Sequence, residues 1–237
     1  MKKILFRVDG NAILGAGHVM RCLSLAAALK EEGCQCIFVV SEDSSSDVIQ
    51  AKGFSVRNLH AMWNDYGQSL EKLLEVVEQE QPEVIVVDSY YASSDFFEEL
   101  QRHTKTAVIG EKSPVEFEAP VDYFINYNIF MNSVNVHPAP LGTLLLGSKY
   151  ALLREEFAAE PVWPGKRSGN LVILTGGSDP HNIAMDICEK VLSDKRFEAL
   201  DLCVVSGPLN PHTRELEALS RNARVRVEHA PKSVRSV

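Results

Sequence analysis

Hydrophobic and polar positions alternate along this chain in blocks that change period from end to end. Ile4-Leu5-Phe6-Arg7-Val8 is a short apolar run with a single charge, and its composition predicts a strand. The segment from Val19 to Glu32 carries Val19, Cys22, Leu23, Ala26 and Leu29 at helical spacing, and Gly33 supplies the C-terminal stop. Strands are predicted at Cys36–Val40 and Phe54–Asn58, followed by a helix over Gln68–Gln79 with Leu70, Leu73, Leu74 and Val77 on one face. Val84–Val87 is a continuous run of β-branched residues, the signature of a parallel strand buried on both faces. Ser93 and Ser94 mark the start of a helix over Asp95–His103, and further strands are read at Thr106–Ile109, Tyr123–Ile125 and Leu144–Leu146. This βαβα order predicts a doubly wound parallel sheet.

The pattern then breaks. Residues 160–169 are rich in Pro, Gly and charge and read as a linker between a first domain (1–159) and a second (170–237). The second repeats the α/β logic: strand Leu171–Thr175, helix Asn182–Leu192, strand Leu202–Val205, helix Thr213–Ser220 and strand Val225–Val227. At about 70 residues it is small for a domain. Its last strand lacks a covering helix, so the expectation is a truncated chain whose second Rossmann-like domain is incomplete and leaves an apolar sheet face in water.

Composition narrows the choice of partners. The chain has 237 residues, 45% of them hydrophobic and 24% charged, with a net charge of −8. The locally basic stretch Arg221, Arg224, Arg226, Lys232 and Arg235 reads as a solvated face, so nucleic acid is not the expected partner. No apolar run reaches the roughly 18 residues needed to span a bilayer, and Arg7 and Asp9 interrupt the only leader-like start. A cytoplasmic protein without a membrane partner is expected. Five irregularly spaced cysteines read as buried free thiols, and Cys34-x-Cys36 has no second pair with which to build a metal site.

Candidate chemistry gathers where strands end. Gly15-x-Gly17 permits positive φ and close approach of a ligand to the backbone. The helix N-terminus that follows favours an anion. Neither the P-loop nor the dinucleotide-binding spacing is present. His18 stands at this helix start, where the dipole disfavours imidazolium. It reads either as a helix cap or as a neutral imidazole able to take a proton from water. Arg7 and Asp9 flank the same strand end. Asp9 is placed to orient His18 or to bind a sugar hydroxyl, the alternative for both being a local ion pair. Arg21 lies on nearly the same helix face as His18. Asp88-Ser89-Tyr90 ends the buried fourth strand and reads as a sugar-holding element or as an ordinary turn. Gly176-Gly177-Ser178-Asp179 repeats the strand, glycine turn and helix start, with backbone donors suited to a pyrophosphate. Gly207–Pro211 is placed to line the same cleft.

Arg7-x-Asp9 followed by Gly15-x-Gly17-His18-x-x-Arg21-x-x-x-Leu25 resembles the UDP-2,4-diacetamido-2,4,6-trideoxy-β-L-altropyranose hydrolases (PseG) of pseudaminic acid synthesis and related SpsG-like polysaccharide proteins. Asp88-Ser89-Tyr90, Ile125-Asn126-Tyr127-Asn128, the segment from Leu146 to Phe157 and Gly176–Pro180 extend the resemblance across essentially the whole chain. The glycine–histidine element is also similar to a loop of the transferase that adds N-acetylglucosamine to the peptidoglycan lipid precursor. The resemblance implies a GT-B fold of two Rossmann-like domains and removal of UDP from an activated diacetamido sugar. It implies that water attacks the anomeric carbon with inversion and that neither metal nor cofactor is required. It implies His18 as catalytic base and Tyr90 as active-site tyrosine, and it places the nucleotide mainly against the second domain. Asn126 is carried over as a substrate contact. Where family members often carry Asp-Asp after the fifth strand, this chain has Gly110-Glu111, a change expected in the cleft. Two alternatives stay open: a sugar-nucleotide glycosyltransferase, and an inactive sugar-nucleotide-binding remnant.

Overall fold

The computed structural model describes residues 1–111, 119–133, 141–157, 169–231 and 233–236. The chain divides into two compact units. Residues 1–9 and 18–153 form the first, and residues 10–17 group with 154–237 in the second. Most of the expected linker, and Lys232 of the basic stretch, lie outside the described residues.

The first unit is a seven-stranded parallel sheet in the order β3-β2-β1-β4-β5-β6-β7. Its strands are β1 (Lys3–Val8), β2 (Gln35–Val40), β3 (Ser55–Asn58), β4 (Val84–Asp88), β5 (Lys105–Ile109), β6 (Val121–Asn126) and β7 (Leu141–Leu146). Its helices are α1 (Gly17–Glu31), α2 (Ser46–Ala51), α3 (Tyr66–Glu80) and α4 (Ser94–Gln101). Period-2 alternation distributes the core. Ile4, Phe6 and Val8 of β1 pack with α1 residues Val19, Cys22, Leu23 and Ala26 on one face. Leu5 packs with Leu73 and Val77 of α3 and Phe96, Phe97 and Leu100 of α4 on the other. Strand order reverses between β1 and β4, which pair in register Arg7 to Val87 and Val8 to Asp88. The carboxyl ends of the strands at such a reversal are where open α/β sheets bind ligands.

Sequence signals explain three of the helix ends in this unit. Gly33 adopts φ 79° just past α1, where its amide and that of Cys34 close on Lys30 and Leu29 carbonyls. Ser93 Oγ accepts from the Phe96 amide and caps α4, and Asp65 caps α3 through the Gln68 amide. Helix α2 falls in a serine-rich stretch for which the sequence pattern predicts no element. It forms because Ile49 buries completely against the α1 face of the sheet.

The second unit holds a three-stranded parallel sheet, β10-β9-β8, built from β8 (Asn170–Leu174), β9 (Asp201–Ser206) and β10 (Val225–His229). Helices α5 (Ile183–Ser193) and α6 (Thr213–Ala218) contribute Ala184, Cys188 and Leu216 to its core with Ile173, Leu202 and Val204. On strand β8, Val172 and Leu174 are exposed and alternate with buried Ile173. Among the described residues no helix is long and apolar enough to cross a membrane. All five cysteines are free.

Candidate active site

The loop before α1 is organised by its own residues. Asn11 Oδ1 accepts from the Ile13 and Leu14 amides, and the Gly15 amide donates to the Asn11 carbonyl at 2.8 Å. Gly15 takes φ 75°, so the need for glycine there is real. Gly17 is different from the expectation: it is the first residue of α1 and is not among the positive-φ positions, and a side chain at it would meet nothing within 4 Å. His18 is thus the second residue of the helix, two places past the cap position.

From that position His18, Arg21 and Cys22 share a helix face, as i, i+3 and i+4 spacing requires, and meet the end of β4. His18 Nδ1 lies 2.6 Å from Asp88 Oδ1. Arg21 grips the same carboxylate twice, with Nε donating to Oδ2 at 2.5 Å and Nη2 to Oδ1 at 2.6 Å. The Cys22 thiol donates to Asp88 Oδ2 at 3.6 Å. Arg21 Nη2 also approaches His18 Nδ1 at 2.9 Å. Two neighbours thus compete for Nδ1, one a pure acceptor and one a pure donor. The carboxylate is nearer, and an Nδ1 lone pair facing it would be strongly repelled. The Arg21 hydrogens already have Asp88 as their target. Nδ1 therefore carries the proton and donates it to Asp88, which leaves Nε2 as the proton acceptor.

A second carboxylate completes the cluster. Arg21 Nη1 donates to Glu111 Oε1 at 2.5 Å, and the Tyr90 hydroxyl donates to Glu111 Oε2 at 2.6 Å. Tyr90 sets its ring edge-on to His18 at a centroid distance of 4.6 Å. Arg21 also reaches the Tyr127 hydroxyl at 3.4 Å. Charges respond accordingly. Burial pulls Arg21 down, but its bonds to Asp88 and Glu111 outweigh that and hold it above its ordinary value. Burial, with the Glu111 bond and charge behind it, pushes the Tyr90 phenol up to about 12, so it is a donor at neutral pH. Burial raises Glu111, but Tyr90 and Arg21 together bring it below the usual carboxylate range.

Arg7 and Asp9 form a separate cluster. Arg7 lies on the α3 face of β1, below Leu5, and its side chain is 0% exposed. Nη1 donates to Asp9 Oδ2 at 2.6 Å and Nη2 to Ser41 Oγ at 2.5 Å, while the guanidinium stacks 4.1 Å from the Tyr66 ring centroid. Asp9 also accepts from the Ser41 amide at 2.6 Å and from the Tyr66 hydroxyl at 3.3 Å. Arg7 Nε has no hydrogen-bond partner among the described residues. These contacts correct the expectation that Arg7 and Asp9 touch substrate: both are sealed inside the unit and consumed by each other. The orienting role read for Asp9 falls to Asp88.

Asn126, at the end of β6, is also fully buried. Its Oδ1 accepts from the amide and side-chain nitrogen of Asn128, which shapes a turn. Beside it Arg21, Gly110, Glu111, Tyr127 and Asn128 line a small polar recess. In the second unit, Gly176 takes φ 82° as its turn requires. Asp179, read as a ligand contact, points inward at 3% exposure and accepts from the Ile183 and Ala184 amides. Its carboxylate caps the start of α5 through these two amides. Glu111 and Tyr127 went unassigned in the sequence reading. Glu111 was visible there only as a departure after β5.

Comparison with solved structures defines the class first: the fold is that of the GT-B glycosyltransferases. Acinetobacter baumannii MurG superimposes with a TM-score of 0.59 over 99% of this chain and 69% of its own, at 11% identity. The spinosyn rhamnosyltransferase SpnG, complexed with thymidine diphosphate, gives 0.59 over 98% and 71% at 13% identity. At the level of sequence, the chain is similar to the UDP-2,4-diacetamido-2,4,6-trideoxy-β-L-altropyranose hydrolase of Campylobacter jejuni. The two are 22% identical over 96% of this chain and 78% of that protein. It is also 26% identical to an uncharacterized protein of Methanocaldococcus jannaschii over 92% of its length, but spans only 45% of that relative. No protein-family model matches the chain.

Proposed function

We propose that the chain processes a UDP-sugar, and that the reaction is hydrolysis of a UDP-activated diacetamido-trideoxy sugar to UDP and free sugar, in pseudaminic acid or related nonulosonate biosynthesis. The similarity to the Campylobacter jejuni hydrolase over nearly the whole chain supports the substrate class. The observation that carries the chemistry is the 2.6 Å contact between Asp88 Oδ1 and His18 Nδ1, which turns Nε2 into a positioned base.

In this reading the water oxygen bonds to the anomeric carbon as the bond from that carbon to the phosphate oxygen breaks. The electron pair of the broken bond leaves with UDP. The water's proton passes to His18 Nε2 and from there to solvent. Asp88 holds the imidazole and stabilises the imidazolium, as an acid behind a histidine base does. Arg21 holds both Asp88 oxygens in place. Tyr90 is kept protonated by Glu111 and walls one side of the imidazole. The Gly176, Gly177 and Ser178 backbone is the proposed contact for the diphosphate, with Asp179 shaping the turn.

Incubation with UDP-2,4-diacetamido-2,4,6-trideoxy-β-L-altropyranose, following UDP, tests this. The wild-type protein is expected to release UDP without an acceptor, and His18→Gln to lose about 10²- to 10⁴-fold. Release that requires an acceptor sugar would assign a glycosyltransferase instead. Binding of the sugar nucleotide without turnover would assign a binding remnant.

A further inference from the structure

A histidine base needs one carboxylate behind it, and this cluster holds two. Asp88 meets the imidazole directly, while Glu111 grips the outer end of Arg21 and the Tyr90 hydroxyl. The division follows from position. Asp88 ends β4 with its side chain 0% exposed, whereas Glu111 follows β5 with 42% of its side chain in contact with solvent.

We infer that Glu111 is a positioning residue that sets the basicity of His18, by balancing the charge of Arg21 and fixing the Tyr90 ring against the imidazole. This rests on the reading of His18 as base in the proposed reaction. Charge balance carries it. With His18 neutral, one guanidinium and two carboxylates leave the cluster with one net negative charge. A proton on His18 brings it to neutrality. Without Glu111 the same proton would leave a net positive charge, in an environment where Arg21 already stands 2.9 Å from Nδ1. Arg21 would then draw on Asp88 alone, and the carboxylate that should stabilise the imidazolium would be spent on the guanidinium. Among the described residues, the other titratable groups facing the imidazole contribute no charge at neutral pH. Burial holds the Cys22 thiol well above its ordinary range, and Tyr90 stays protonated. The Tyr127 hydroxyl, on the far side of Arg21, is a further neutral partner.

The test is an NMR titration of the His18 ring in the substrate-free protein, comparing wild type, Glu111→Gln and Glu111→Asp. Glutamine keeps an acceptor for Tyr90 and removes the charge. Aspartate keeps the charge on a shorter arm. Losing a nearby negative charge disfavours imidazolium, so the His18 midpoint in Glu111→Gln should fall by roughly half a unit or more. In Glu111→Asp it should stay near the wild-type value. The acid limb of kcat/KM should move to lower pH with the same sign in Glu111→Gln. A midpoint unchanged or raised in Glu111→Gln overturns the inference, as does an equal fall in Glu111→Asp, which would mean fit rather than charge. The titration needs no substrate. An unchanged midpoint beside intact UDP release would sink the role of Glu111 alone. A wild-type protein that releases no UDP would sink the hydrolase reading alone.

Discussion

Two carboxylate–cation clusters sit at the carboxyl end of the same sheet and behave as opposites. Arg7, Asp9, Ser41 and Tyr66 close on one another, with the Arg7 side chain at 0% and that of Asp9 at 3% exposure. His18, Arg21, Asp88, Glu111 and Tyr90 form a graded chain, from an Asp88 side chain at 0% outward to Tyr90, which is 58% exposed. In the first, nearly every polar atom is consumed internally, so the charges serve the fold. In the second, the buried acid is anchored and the groups beyond it lead toward solvent. The same residue types do different work because one cluster is sealed and the other ends in groups that a ligand can reach.

Paired substitutions make this contrast breakable. His18→Gln should cost UDP release about 10²- to 10⁴-fold with the denaturant midpoint close to wild type. Asp9→Ala should do the reverse, destabilising by about 3–5 kcal/mol in urea unfolding because it strands the buried Arg7 charge. If Asp9→Ala cost under about 1 kcal/mol, the sealed cluster would not be the structural element described. Gly110→Ala comes next. A Cβ there would lie 2.8 Å from Phe124 Cζ, so a loss of about 1–3 kcal/mol is expected in the same assay. Tyr66→Phe removes a donor 3.3 Å from Asp9 and should cost only about 0.5–1.5 kcal/mol, with UDP release unchanged. The smallest effect is acidic. Glu111 is held below the usual carboxylate range in the folded chain. Its contribution to stability is present above the unfolded value and lost as pH falls through the folded one. Glu111→Gln should therefore flatten the acid limb of a stability-against-pH curve slightly, whereas Tyr66→Phe should not.

Strands and long helices were legible because each buries a face whose period repeats over several residues. All ten strands read from the sequence are present, and α1 and α3 differ only in their ends. Helix α2 was not legible, since one buried Ile49 among serines gives no period to read. The His18–Arg21 face followed from helical spacing. The partner of His18 did not, because Asp9 and Asp88 both end strands and only the packing of α1 selects between them. Arg7 was flagged as a charge needing a partner. Its burial over Tyr66 depends on α3, which lies far away in sequence. Glu111 belongs to the loop after β5, and no local signal distinguishes an acid that grips Arg21 from one that faces water. Asp179 shows the same limit in reverse. The acid that ends the glycine turn reads as one more ligand contact, while the structure turns its carboxylate inward to cap α5.

The central claim is that Asp88 fixes the tautomer of His18 and leaves Nε2 as the base. Nitrogen-15 NMR of the His18 ring, recorded above its titration midpoint, reads this directly. The account predicts a protonated Nδ1 donating to Asp88 and an unprotonated Nε2. A proton on Nε2, with Nδ1 bare, would contradict it.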